Sequence, residues 1–107
     1  MFSKDAKNKI NDLMEVILRL QTINEARRFF RDLLTEKELI EFANRWKAAR
    51  MLSEKVPYKK IEKETGLSST TVARVSKWLF RGMGGYKIMI FRLVNIHHSN
   101  LLLKRGV

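Results

Sequence analysis

Apolar residues recur at helical spacing near the start of the chain. Between residues 4 and 21 they are separated by three or four positions, which places them on one face of an amphipathic helix. They are Ile10, Leu13, Met14, Ile17 and Leu18. This spacing predicts a first helix over residues 4–21.

Two threonine–glutamate pairs predict where the next two helices begin. Thr22 with Glu25, and Thr35 with Glu38, have the spacing of a capping box, in which hydroxyl and carboxylate satisfy the first free N–H groups of a helix. A second helix is therefore predicted from Thr22 through Leu33, and a third from Thr35. The apolar side of the third helix is expected to contain Leu39, Phe42, Ala43, Trp46, Ala49 and Leu52.

Residues 58–78 have the sequence YKKIEKETGLSSTTVARVSKW, the pattern of two short helices joined by a turn. A helix over residues 58–64 would end at Gly66, because glycine adopts the left-handed conformation at little cost. Ser68 would cap a second helix that runs to about Leu79. The predicted inward positions are Ile61, Leu67, Val72 and Val75. The pattern is typical of a helix-turn-helix, and the alternative is an ordinary helical hairpin with a polar outer face.

Three glycines, Gly82, Gly84 and Gly85, predict a break before a last helix over about residues 86–96. That segment is apolar on most of its faces, as in helices buried in a core or a subunit interface. A monomer of this size has too few other residues to bury the apolar faces of this helix and of the first two helices. The sequence therefore predicts a homodimer formed largely by the terminal helices. The tail, residues 97–107, has weak signals, and residues 104–107 are expected to be frayed.

The composition favours one folded, helix-rich domain. The chain has 107 residues, of which 45% are hydrophobic, with one proline and five glycines. We expect N-terminal dimerisation helices over residues 1–34, a core helix plus helix-turn-helix over 35–81, and a C-terminal helix and tail over 86–107. The longest apolar run, residues 88–96, is too short for a bilayer and contains Arg92. Neither a membrane partner nor a signal peptide is expected, and the expected location is the cytoplasm.

The formal net charge of +11 is the strongest compositional evidence for a partner. Such a surface attracts polyanions, chiefly nucleic acid and also anionic membrane surfaces. Charge alone gives salt-sensitive binding without sequence preference. It therefore does not separate a sequence-specific regulator from a non-specific nucleic-acid-binding protein.

Residue types needed for common catalytic and metal sites are missing or poorly placed. The chain has no cysteine, which excludes disulfides and thiolate metal sites. It also lacks a glycine-rich phosphate loop followed by Lys-Ser/Thr and a histidine set beside a candidate serine. His97 and His98 are adjacent, so on a helix they point about 100° apart and do not predict a metal site. Neither an enzyme nor a cofactor is expected.

Candidate DNA contacts lie in and around the predicted two-helix motif. Small and hydroxyl-bearing residues allow close approach to base edges, while cations meet phosphates. The candidates for groove contacts are Ser68, Ser69, Thr70 and Ala73. The candidates for phosphate contacts are Lys59, Lys60, Lys63, Lys77 and Arg81. Capping is the alternative role for Ser68, and a solvated basic face is the alternative for the cations.

Three segments follow one another between residues 33 and 93: LLTEKELIEFANRWKAARML, YKKIEKETGLSSTTVARVSKWL and GMGGYKIMI. In this order they resemble the bacterial Trp-repressor superfamily, and more closely its YerC/YecD-type, Trp-repressor-like branch. The resemblance implies an all-α, intertwined homodimer. Its helix-turn-helix units would project from a shared core and meet successive major grooves of operator DNA.

The resemblance also implies candidate effector-binding residues. In the Trp repressor, L-tryptophan lies between the core and the DNA-binding unit and is flanked by two arginines. Arg74 and Arg45 match these arginines, and Thr35 matches a position that lines the pocket. Val75 and Trp78 stand where the repressor has small residues, which makes L-tryptophan a doubtful ligand. Our hypothesis is that Trp78 fills the space from within, so that DNA binding needs no corepressor.

The sequence thus predicts a transcriptional regulator, a repressor, that binds double-stranded operator DNA as a homodimer through residues 58–79. One alternative is a repressor that responds to tryptophan. Another, from a different class, is an architectural or RNA-associated protein that uses the same charge without sequence preference.

Overall fold

The computed structural model describes the backbone of residues 2–104 and the side chains of residues 2–95. Within these residues the chain is all-α, with six helices and no strand. The helices are α1 (Lys4–Ile17), α2 (Ile23–Leu33), α3 (Glu36–Ser53), α4 (Tyr58–Thr65), α5 (Ser69–Arg81) and α6 (Gly85–Lys104). The chain divides into two compact units, Met1–Leu39 and Ile40–Val107, which are described separately.

In the first unit, α1 ends earlier than the periodicity predicts, at Ile17 instead of residue 21. The N–H groups of Arg19 and Leu20 donate to the carbonyls three residues before them, at 3.0 and 3.1 Å, which tightens the chain into a turn. The N–H of Gln21 donates to the Glu25 carboxylate at 3.0 Å. Gln21 therefore belongs to the start of α2, and the apolar spacing alone placed the end of α1 wrongly.

Both predicted capping pairs are confirmed. The Thr22 hydroxyl accepts from the N–H of Glu25 at 3.0 Å, and the Thr35 hydroxyl accepts from the N–H of Glu38 at 3.1 Å. In the second pair the Glu38 carboxylate also accepts from the N–H of Thr35, at 2.9 Å, which completes the reciprocal capping box. These bonds fix where α2 and α3 begin.

The second unit has a small apolar core built from α3, α4 and α5. Its buried members are Ala48, Ala49, Leu52, Ile61, Val72, Val75 and Leu79. The predicted apolar side of α3 is only partly correct. Ala49 and Leu52 are buried, but Phe42 is 47% exposed, Ala43 is exposed and Trp46 is half-buried. Ala48, absent from the prediction, is fully buried, because small side chains let neighbouring helices approach closely.

The last helix is longer than predicted. It runs from Gly85 to Lys104 instead of residues 86–96, because its sequence contains no proline or glycine that would end it after Ile96. Tyr86 and Ile90, near its start, pack against the core of the second unit. Of the tail predicted to be frayed, residues 105–107 lie outside the described residues.

Candidate nucleic-acid interface

Helix α4 and the turn after it are built from local contacts. Pro57 precedes the helix in an extended conformation, where its missing N–H costs little. Gly66 ends the helix with φ of 73°, in the left-handed region, and its N–H donates to the Glu62 carbonyl at 2.8 Å. The buried Thr65 hydroxyl donates to the Ile61 carbonyl at 2.7 Å and accepts from the N–H of Leu67 at 3.2 Å. The predicted role of Gly66 is confirmed, and the turn is rigidly bonded to α4.

Ser68 caps the next helix, α5, as predicted. Its hydroxyl oxygen accepts from the N–H of Thr71 at 3.1 Å, and the same hydroxyl donates to Thr71 Oγ1 at 3.0 Å. The hydroxyl proton and one of the two acceptor lone pairs are therefore used inside the chain. Donation from Ser68 to a base would compete with its bond to Thr71, and a base contact stays a prediction.

The two helices are held together by the predicted inward residues. Ile61, Val72 and Val75 are completely buried, and Leu67 is partly buried against the core. Leu79, which the sequence marked only as the end of the helix, is buried as well. The orientation of α5 relative to α4 is thus set by branched aliphatic side chains that fill the space between them.

All nine candidate DNA contacts are exposed residues of this two-helix unit. Those on α4 are Lys59, Lys60 and Lys63, and those at or on α5 are Ser68, Ser69, Thr70, Ala73, Lys77 and Arg81. Ser69, Ala73, Lys77 and Arg81 are spaced four residues apart, so they form one line along α5. Among the described residues, none of the five cations forms an ion pair. This exposed line of four residues is called the α5 outer face below.

Two of the candidate effector residues come together in the second unit. The guanidinium carbon of Arg45 lies 5.9 Å from the centroid of the Trp78 ring and 5.9 Å from that of Phe42. Arg45 also forms an ion pair with Glu41, with 3.3 Å between Nη2 and Oε2. Its Nε is buried and has no hydrogen-bond partner within the part of the chain that the structure describes.

The other two effector candidates do not form such contacts. Thr35 belongs to the first unit, where its hydroxyl caps α3 by accepting from Glu38. Arg74 is exposed on α5, one turn before Trp78. An exposed guanidinium at this position could also meet a DNA phosphate.

An apolar groove beside Trp78 was missed by the sequence analysis. It has a volume of about 550 Å³ and is lined by Trp46, Trp78, Gly82, Met83, Gly85, Tyr86 and Met89. Trp46 and Tyr86 stack along it, with ring centroids 6.3 Å apart. Burial raises the pKa of the Tyr86 hydroxyl, and the nearby positive charge of Arg45 partly opposes that shift. The stacked rings are 40 positions apart in the sequence, so no local pattern could have indicated the groove.

Metal-binding and membrane-spanning features are missing from the described residues. No group of three or more His, Asp or Glu side chains within them could hold a metal ion. The side chains of His97 and His98 lie outside the described part of the chain. No helix among the described residues is long and apolar enough to cross a membrane.

The fold and the exposed basic two-helix unit are those of an all-α regulator of the DNA-binding kind. The family described as Trp repressor protein matches residues 8–94, and the chain belongs to that family, which is a family of regulators and not of enzymes. The resemblance noted from the sequence is thereby confirmed.

Individual relatives agree with this assignment. The uncharacterized protein YerC of Bacillus subtilis (strain 168) is 40% identical over 85 residues, covering 79% of this chain and 82% of the relative. A solved structure of a TrpR-like protein from Eubacterium eligens is similar, with a TM-score of 0.77 and 35% identity, over 80% of this chain and 89% of that one. A solved structure of a proposed Trp repressor from Staphylococcus aureus is also similar, with a TM-score of 0.76 and 31% identity, over 80% of this chain and 86% of that one.

Proposed function

We propose that this protein is a sequence-specific transcriptional repressor that binds operator DNA as a homodimer. In this proposal α4, the turn at Gly66 and α5 form a helix-turn-helix. Helix α5 enters the major groove, and repression is steric, since a protein on a promoter blocks polymerase. Because the target is chromosomal DNA, the proposed location is the cytoplasm.

The observation that carries the proposal is the division of α5 into two sides. Val72, Val75 and Leu79 are buried and fix the helix on the core. On the other side, Ser69, Ala73 and Lys77 are exposed in one line, with no bulky side chain among them. Small residues at the start of a helix can approach base edges, as the recognition helix of a helix-turn-helix does. The lysines of α4 are exposed as well and can meet phosphates.

The case for a homodimer comes from apolar side chains left exposed on the single chain. Helices α1 and α2, which lie wholly within the described residues, contain no buried side chain. Leu18 is 84% exposed and Ile23 is 72% exposed. Helix α6 exposes a second such set, namely Ile88, Met89, Phe91, Leu93 and Val94. Helices this short need tertiary packing of an apolar face to be stable, and a second copy can supply it.

Selection from a random pool of double-stranded DNA at physiological salt tests the proposal. The full chain is incubated with the pool, and bound fragments are amplified and sequenced over several rounds. Parallel selections contain and omit L-tryptophan. A dimer with two recognition helices should enrich a palindromic site whose half-sites are about one helical turn, roughly 34 Å, apart.

Each outcome of the selection distinguishes the proposal from an alternative. An enriched palindrome supports the sequence-specific regulator. Retention of DNA without enrichment, lost on raising the salt, would favour a non-specific architectural or RNA-associated protein. Enrichment only in the presence of L-tryptophan would favour a tryptophan-responsive repressor.

A further inference from the structure

Arg45 and Trp78 connect the core helix α3 to the proposed recognition helix α5. A guanidinium within about 6 Å of an aromatic centroid is attracted to the ring. At 5.9 Å from the Trp78 ring, Arg45 meets that distance. Trp78 lies three positions after the buried Val75 and one position before the buried Leu79, on the helix that carries the α5 outer face. A contact here restrains α5 at a point outside the aliphatic core.

Arg45 is itself held in position from its own helix. The Glu41 carboxylate lies 3.3 Å from Nη2, one turn before Arg45, and the Phe42 ring lies 5.9 Å from the guanidinium carbon. The Arg45 side chain is only 34% exposed, so its attraction to the two rings is less screened than it would be in open water. Both contacts restrain the guanidinium at its position beside Trp78.

The family resemblance implies L-tryptophan as an effector bound near Arg45. An indole-bearing ligand would need a free cation and a free slot beside α5. Arg45 instead already lies beside an indole ring supplied by the chain, that of Trp78. Trp78 is 42% exposed, so this contact lies at the edge of the core, beside the apolar groove.

We propose that Arg45 and Trp78 act as a built-in latch that fixes the DNA-binding orientation of α5 without a small-molecule corepressor. Both are positioning residues: they hold the recognition helix and do not themselves contact bases. This inference rests on the proposed function, since the latch matters only if α5 binds DNA. The unpartnered Nε of Arg45 gives the competing possibility, an effector carboxylate bound at that atom.

A spectroscopic experiment tests the contact independently of DNA. The chain has two tryptophans, so Trp46→Phe leaves Trp78 as the single tryptophan and keeps an aromatic ring against Tyr86. Excitation at the long-wavelength edge of the indole absorption selects Trp78 over the two tyrosines. In this background Arg45→Met should shift the emission of Trp78 and raise its quenching by iodide. Arg50→Met, which removes an exposed cation from the same helix, should leave both unchanged. Equal spectra for the two variants would overturn the latch.

The DNA experiment uses the site enriched from the random pool and the same variants. Trp78→Leu keeps apolar bulk without the aromatic face, and Arg45→Met removes the cation. Each variant should bind the enriched site about two- to thirtyfold more weakly than Arg50→Met does. Arg50→Met is the control because it removes one positive charge, as Arg45→Met does. The range of fold-changes corresponds to a cation–π energy of ~0.5–2 kcal/mol. Circular dichroism and thermal unfolding confirm that each variant is folded. L-tryptophan should leave the affinity of the unmodified chain unchanged.

The outcomes separate failure of the latch from failure of the proposed function. If the unmodified chain enriches a site but both latch variants bind it as tightly as Arg50→Met, the latch is wrong and the regulator stands. If tight binding requires L-tryptophan, the latch is also wrong. If no site is enriched at all, the proposed function fails and the latch fails with it, whatever the Trp78 spectrum shows.

Discussion

Glu38 and Thr35 bond to each other twice at the start of α3. The Glu38 carboxylate accepts from the N–H of Thr35 at 2.9 Å, and the Thr35 hydroxyl accepts from the N–H of Glu38 at 3.1 Å. The first bond, to the backbone of Thr35, is the main cause of a lowered pKa of the Glu38 carboxyl, and the Thr35 side chain adds to it. The ionised carboxylate therefore stabilises the folded chain.

The first prediction concerns the pH dependence of that contribution. Because the pKa of Glu38 is lower in the folded chain, its contribution is present above the unfolded pKa and is lost as the pH falls through the folded value. Glu38→Gln should therefore lower the free energy of unfolding near neutral pH, and the deficit should shrink in acid. Urea unfolding at a series of pH values measures this.

Glu36→Gln is the control for Glu38, since Glu36 is an acidic residue of the same first turn and has no hydrogen bond among the described residues. Glu36→Gln should lower the free energy of unfolding less than Glu38→Gln does. Parallel curves for the two variants would contradict the assigned role of Glu38.

The second prediction concerns the turn before α5. Gly66 has φ of 73°, and a Cβ added there would meet nothing within 4 Å. The cost of Gly66→Ala is therefore conformational, about 1–2 kcal/mol, since L-residues disfavour this region. Gly66→Asn should cost less.

Gly85→Ala is the control, because it also adds a Cβ in open space, but φ at Gly85 lies outside the positive range. The urea midpoint of the Gly85→Ala variant should therefore stay close to that of the parent chain. Equal losses at the two glycines would contradict this explanation.

Local chemistry was predictable from the sequence, whereas distant contacts were not. The caps at Thr22, Thr35 and Ser68 and the left-handed Gly66 were predicted correctly because each depends on residues within four positions. Periodicity correctly placed the inward residues of α4 and α5. It failed on α3, where Phe42 and Ala43 have apolar character but no partner within the core of the second unit.

The candidate site shows the same difference between local features, which the sequence predicts, and contacts between distant residues, which it does not. The α5 outer face was predicted because it lies on one helix with an obvious polar side. The contact between Arg45 and Trp78 spans 33 positions of sequence. The family resemblance assigned both residues to the candidate effector site, but it did not indicate that they touch. Only the packing of α3 against α5 decides that.

The third prediction separates capping from DNA contact at the start of α5. Ser68→Ala removes the acceptor for the N–H of Thr71 and should lower the free energy of unfolding by about 1 kcal/mol. Ser69 is exposed and its side chain has no hydrogen bond among the described residues, so Ser69→Ala should leave stability unchanged while weakening binding to the enriched DNA site. The paired measurements are urea unfolding and DNA titration. Loss of DNA affinity in Ser68→Ala alone would contradict the placement of Ser69 at the bases.

The fourth prediction concerns salt. If Lys77 meets a phosphate, Lys77→Ala should reduce the slope of log affinity against log salt by about 0.9. Lys7, an exposed lysine of α1 outside the α5 outer face, provides the charge-matched control. Titrations at several salt concentrations should show an unchanged slope for Lys7→Ala. Equal reductions at the two lysines would mean that net charge, and not the α5 outer face, determines binding.

The last prediction concerns assembly. On α2 the apolar stripe contains Ile23, Ala26, Phe30 and Leu33, and no side chain of this helix, all of it within the described residues, is buried. If a second copy covers the stripe, Ile23→Glu places a charge in the interface and should shift the dimer toward the 12.6 kDa monomer in light scattering. Asn24→Glu introduces the same charge at an exposed neighbouring position off the stripe, and that variant should remain a dimer.

Loss of the dimer should also change DNA binding. Because each copy supplies only one recognition helix, the monomeric variant should lose its preference for a palindromic site over a single half-site. A monomeric parent chain, or an Ile23→Glu dimer as tight as that of Asn24→Glu, would remove α2 from the interface.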